Sequence, residues 1–184
     1  MVVATRPAIT TVRSGDVSKV LSFRFSNIVS IFNKSSSGKI FSSSADVTGL
    51  VETRDCPEYT DNLFADLRVF NVFRRARDSR GGGVALVVRK ALKGYRRPDL
   101  EHSDLEILMV DLSCSDIIVC VFYSPPVNVR ATTIHFVEHI RSLSHDVIMR
   151  LVVLGDFNVP GVDWTGRSAR TLHGHALLEA TRGI

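Results

Sequence analysis

The chain has 184 residues, 45% of them hydrophobic and 23% charged, which is enough apolar material for one globular domain with a sizeable core. A net charge of +4 and a pI near 9.2 tilt only slightly toward a polyanionic partner. Three cysteines at no metal spacing (Cys56, Cys114, Cys120), two of them in apolar strand-like runs, predict buried thiols of a reducing compartment. No apolar run is long enough to span a membrane, and the first twenty residues lack a signal-peptide core, so a soluble, intracellular protein is expected.

Residues 1–19 are rich in Thr, Val and Ser without a clear period and are expected to form a loose leader, with one domain over 20–184. Val20–Phe25 reads as a strand that ends at Asn27. Asn33–Ser44 carries six serines and few apolar residues, so any helix there is weak. Ala45–Val51 reads as a short strand running into Glu52. A polar, turn-rich stretch covers Arg54–Asp66, and Arg74–Gly83 (RRARDSRGGG) reads as a basic loop closed by three glycines. Val84–Val88 resumes as a strand. Glu106–Leu112 and Ile117–Tyr123 have the pattern of an antiparallel hairpin with its turn at Ser113–Asp116.

Pro125 and Pro126 stop the second of these strands. Ala131–His145 is the strongest helix, with Phe136, Val137, Ile140, Leu143 and Val147 on one face. Arg150–Leu154 is an apolar strand, after which Gly155 is expected to turn the backbone. A shorter helix is expected over Leu172–Ala180, and no repeat is present. Strands in meander order with few helices predict an α/β architecture of two largely antiparallel sheets in a sandwich flanked by helices.

The chemistry concentrates after the last strand. Asp156 and Asn158 stand two residues apart, which sets a carboxylate and a carboxamide on one side of an extended chain, with Phe157 turned into the core. Asn27, Glu52 and Tyr123 also fall at strand ends. Oxygen donors of this kind suit a hard cation such as Mg²⁺. Such an ion polarises a phosphoryl oxygen, a carboxylate orients or deprotonates water, and an amide and a phenol donate to developing charge. On residue chemistry alone, Asn27, Glu52 and Tyr123 can equally be strand or turn caps.

These pieces resemble a family. GDFN at Gly155–Asn158 is similar to the signature of the endonuclease/exonuclease/phosphatase superfamily. The ordered set of Asn27, ADVTGLVETR at Ala45–Arg54, RRARDSRGGGVALVV, YSPP at Tyr123–Pro126 and GDFNVPGVDW resembles the endonuclease domain of non-LTR retrotransposons. The resemblance implies an Mg²⁺-dependent DNA endonuclease, with Mn²⁺ able to substitute. It implies Glu52 and Asn27 at the metal, and Tyr123, Asp156 and Asn158 at the phosphate and attacking water. Arg74, Arg75, Arg77 and Arg80 lie where such domains approach DNA. DNA is the partner implied, with no membrane and no obligate protein partner, and a nuclear location if the substrate is chromosomal.

One departure stands out. The family carries an Asp and an Asp-His pair well after GDFN, and nothing after Trp164 supplies them; His173 and His175 belong to the expected last helix. The expectation is therefore a C-terminally truncated domain, and the alternative function is an inactive relic or a DNA-binding fragment. A phosphatase or repair nuclease of the same superfamily is disfavoured by GGGVALVV and GDFNVPGVDW. His135–His139 also reads H-x-x-E-H, an inverted zinc-protease pattern. A helical wheel turns His135, Glu138 and His139 to solvent, and no third ligand follows, so this reading is not favoured.

Overall fold

The computed structural model describes residues 20–30, 45–54, 59–76 and 82–182, together with the backbone of 2–4 and 9–13. Its strands in chain order are β1 (Val2–Ala4), β2 (Ile9–Arg13), β3 (Val20–Asn27), β4 (Val47–Val51), β5 (Phe70–Arg75), β6 (Val84–Arg89), β7 (Gly94–Arg96), β8 (Glu106–Leu112), β9 (Ile117–Tyr123), β10 (Leu151–Asp156), β11 (Val162–Asp163) and β12 (Ser168–Ala169). Helices α1 (Val129–Ser142), α2 (His145–Met149) and α3 (Leu172–Arg182) follow or flank them. One sheet runs β1-β10-β9-β8-β7 and the other β2-β3-β4-β6-β5, with β11-β12 a separate hairpin.

Most neighbours are antiparallel, but β3 with β4, β9 with β10, and β1 with β10 are parallel. Parallel neighbours need a crossover, and α1 and α2 supply the one between β9 and β10. The expected two-sheet sandwich is therefore what forms.

Alternation divides β4, β6, β8, β9 and β10 between two cores each. Phe23, Phe25, Val47, Val51, Val84, Leu86 and Val88 of one sheet meet Leu108, Val110, Val119, Val121, Val152 and Leu154 of the other. The opposite faces of β8, β9 and β10 give Ile107, Met109, Ile118, Phe122 and Val153, which pack under Phe136, Val137 and Ile140 of α1 and Leu177 of α3. Phe122 stacks on Phe136 at 4.2 Å between ring centroids, and Phe157 packs against both. A third cluster, including Leu50, Phe64, Phe70 and Val87, covers the outer face of the second sheet.

The hairpin β8–β9 has the expected bounds, while other features differ. Within the expected leader, β1 adds to the edge of β10 and β2 to the edge of β3, because backbone pairing on an open edge needs no apolar period. The basic loop starts later than expected: Arg74 and Arg75 end strand β5, paired with Ala85 and Val84. The main helix ends at Ser142, and Val147 belongs to α2, capped by Ser144. Cys120 is buried as expected, and burial pushes its thiol pKa up, but Cys114 is exposed in the hairpin turn. Asn33–Ser44, Cys56, Arg77 and Arg80 lie outside the described residues.

Candidate active site

Alternation that builds the central core also builds the site. Phe23 and Phe25 point between the sheets, so Asn27, two further on, faces the same way at the rim. Tyr123 continues the inward row of Val119 and Val121, and Asp156 that of Val152 and Leu154. Glu52 is the exception. As the first residue past β4 it would face outward, but its φ of 53° breaks the alternation. The result is a cleft mouth to which both sheets deliver polar side chains.

There the Asn27 amide donates from Nδ2 to Glu52 Oε1 at 3.2 Å and to Asp156 Oδ2 at 3.1 Å. Its Oδ1 accepts from the Val29 N–H at 3.3 Å, which fixes which end of the amide faces the carboxylates. Glu52 Oε1 also accepts from the Tyr123 hydroxyl at 2.7 Å. Burial, then the bond to Glu52, raises the Tyr123 pKa, so the phenol stays protonated and acts as a donor. Asp156 Oδ1 accepts from the Asn158 backbone N–H at 3.2 Å. The Asn158 amide donates to Ser124 O at 2.8 Å, tying the exits of β9 and β10 together.

Asn27, Glu52, Tyr123 and Asp156 thus join in one hydrogen-bonded group, and Asn158 joins through Asp156. Left-handed residues stand just past three of the strand ends: Val29 (φ 55°), Glu52 (φ 53°) and Asn158 (φ 49°). Such backbone costs roughly 1–3 kcal/mol at a non-glycine residue, and that strain gathers at functional sites. The Asn158 conformation also means that Asp156 and Asn158 do not lie on one extended run. Gly155 makes no turn either. It stays in β10, where an added Cβ would sit 2.8 Å from the Phe122 carbonyl oxygen.

Arg74 and Arg75 are committed to the protein. Arg74 Nε lies 2.8 Å from Asp61 Oδ1, and the guanidinium sits over the Phe64 ring. Arg75 donates to the carbonyls of His102, Ile107 and Ser103 at 3.0, 3.1 and 2.7 Å. Sequence reasoning missed Glu106. It opens β8 in register with Tyr123, and its Oε2 accepts from the Gly83 N–H at 2.8 Å, anchoring the glycine segment beside the cleft. Its inward position in the β8 alternation was the available signal.

The Glu52 and Asp156 carboxylates are the hard oxygen donors that fit Mg²⁺, while the Asn27 amide faces them with its N–H end and the Tyr123 phenol donates to Glu52. A two-sheet sandwich with such a group at the ends of its central strands is the architecture of a class of phosphoesterases. A sequence profile described as the endonuclease/exonuclease/phosphatase family matches residues 21–183, and the chain belongs to that family. Its members are usually hydrolytic nucleases or phosphatases, and the nucleases generally use divalent metals.

Among solved structures, the chain is similar to the 3′ phosphatase NExo from Neisseria bound to a product DNA hairpin. They share 16% identity over 87% of this chain and 71% of that one, with a TM-score of 0.60. For an AP endonuclease from Archaeoglobus fulgidus the values are 13%, 88%, 70% and 0.60. For the endonuclease domain of TRAS1, a telomere-specific non-LTR retrotransposon, they are 15%, 85%, 67% and 0.52. At these identities the likeness is one of fold. No curated protein sequence matches the chain. No helix among the described residues is long and apolar enough to cross a membrane.

Proposed function

We propose that this chain is a divalent-metal-dependent DNA endonuclease of a non-LTR retrotransposon, with Mg²⁺ as its ion and Mn²⁺ as a substitute. The observation that carries the reading is the Asn27 amide holding Glu52 and Asp156, from different sheets, at one point. Glu52 would hold the ion, with Asn27 positioning the Glu52 carboxylate through its amide N–H, and the ion would polarise the phosphoryl oxygen and stabilise charge on the leaving oxygen. Asp156 would orient the attacking water and accept its proton. Tyr123, kept protonated, donates to the charged transition state. An amide carries two hydrogens, and with one directed at Ser124 O, Asn158 has the other for a phosphate oxygen.

Arg77 and Arg80 are proposed as DNA contacts on their sequence position, and a nuclear location follows if the substrate is chromosomal. The similar Neisseria 3′ phosphatase, bound to a product DNA hairpin, supports a DNA substrate. A second reading, a non-catalytic DNA-binding form of the same fold, draws on a different observation: among the described residues no histidine hydrogen-bonds to Glu52, Asp156, Tyr123 or Asn27.

Nicking of supercoiled plasmid by the purified chain, with Mg²⁺ and with EDTA, decides between them. Metal-dependent nicking that disappears in Asp156→Ala supports the endonuclease. A folded chain that binds DNA without nicking it supports the second reading.

A further inference from the structure

A second group of potential metal ligands lies outside the cleft. The loop before β8 brings His102 and Asp104 against His135 of α1, and one ligand atom from each lies within 4.8 Å of the others. The rings of His102 and His135 meet edge-on at 4.4 Å between centroids. His139, one helical turn beyond His135, has its ring 5.5 Å from His102. The partner of its Nε2, at 2.9 Å, is the Leu100 carbonyl, an acceptor only, so Nε2 carries the proton and Nδ1 the lone pair. A metal-binding histidine commonly has this arrangement, one nitrogen donating to a carbonyl and the other open to an ion.

The geometry points to a transition-metal site of the zinc class at His102, Asp104 and His135, with His139 or water in the fourth position, distinct from the oxygen-donor cleft. Two imidazoles and one carboxylate are softer donors than Mg²⁺ prefers and match Zn²⁺. Tetrahedral Zn²⁺ with bonds near 2.0–2.1 Å sets its ligand atoms about 3.4 Å apart, so side-chain adjustments of roughly an ångström close the cluster. The 3.2 Å bond from the Asp104 N–H to His102 Nδ1 is the contact that binding exchanges.

The H-x-x-E-H pattern thus finds a third ligand, but from a loop 33 residues upstream of His135 rather than downstream, and with Glu138 exposed. The role that follows is structural. Arg75 holds the carbonyls of His102 and Ser103, and Glu106 holds Gly83. An ion here fastens to α1 the loop that anchors the glycine segment and the end of β5. That loop also lines a groove of about 500 Å³ with Arg75, Glu106 and Asn128.

The test titrates the metal-free full chain with Zn²⁺ against a chromogenic chelator, with Mg²⁺ in large excess. One Zn²⁺ per chain is expected, with affinity falling about a hundredfold in His102→Gln and His135→Gln while Glu52→Gln binds as the parent does. Binding that is lost in Glu52→Gln and kept in His135→Gln, or that Mg²⁺ abolishes, overturns the proposal. X-ray absorption at the zinc edge of the unmutated protein tests it without relying on the variants' folding. A shell containing two or more imidazoles supports the site, and a shell without imidazole overturns it. None of these readouts depends on nicking, so the endonuclease reading can fail without affecting them.

Discussion

Two polar clusters stand on this molecule, and they are built by opposite means. In the cleft, Asn27, Tyr123 and Asp156 continue the inward rows of core strands, and hydrogen bonds of 2.7–3.2 Å already hold the donors together. On the outside of the first sheet, His102 and Asp104 come from a loop and His135 from a helix, held within 4.8 Å. The first arrangement is pre-organised by the sandwich itself, as catalysis requires. The second leaves its donors to be drawn in by an ion, which suits a fastening. On the roles proposed for them, position on a strand end and position on a loop separate chemistry from support.

The largest effect that can break this contrast is on rate. Glu52→Gln and Asp156→Asn should each lower plasmid nicking by about 10²–10⁴-fold with unchanged far-ultraviolet circular dichroism, since a positioned base alone contributes that much. His135→Gln should leave nicking as it is; equal losses in the cleft and histidine variants would erase the distinction. Next comes the support of the cleft. In Gly155→Ala the new methyl meets the Phe122 carbonyl at 2.8 Å, a backbone atom that cannot swing away. Urea denaturation should show a loss of roughly 1–3 kcal/mol, and an unaltered midpoint would contradict the close approach of β9 and β10.

Tyr123→Phe removes one donor to charge and keeps the ring, so nicking should fall about tenfold. The smallest effect lies at the arginines. Arg77→Ala with Arg80→Ala should reduce the slope of log binding constant against log salt by about two units. Arg74→Ala should leave that slope unchanged, because Arg74 is engaged with Asp61. A slope change from Arg74 would return that residue to the DNA contacts.

The cleft was legible because period-two patterning carries a strand's facing direction to its last residue. Glu106–Leu112 and Ile117–Tyr123 were placed with their observed bounds, so Tyr123 followed. Glu52 directly follows β4, as the sequence suggests, but its direction depends on a left-handed backbone that a glutamate does not advertise. β5 was hidden because FNVFRR ends in two arginines that look solvated and instead satisfy Asp61 and three carbonyls. The histidine cluster joins a loop to a helix, and no local period encodes that meeting.

Gly49 has a consequence for kinetics. At this position on β4 an added Cβ would lie 2.9 Å from Leu154 Cδ1 on β10, so the two sheets approach closely along the strands that carry Glu52 and Asp156. The distance between those carboxylates is thus a gauge of how the sheets are seated. Misplacing reacting groups by about an ångström can cost a hundredfold in rate. Substitutions in the dry interior, several residues from any polar atom of the cleft, should therefore surface as slow enzymes before they surface as unstable ones.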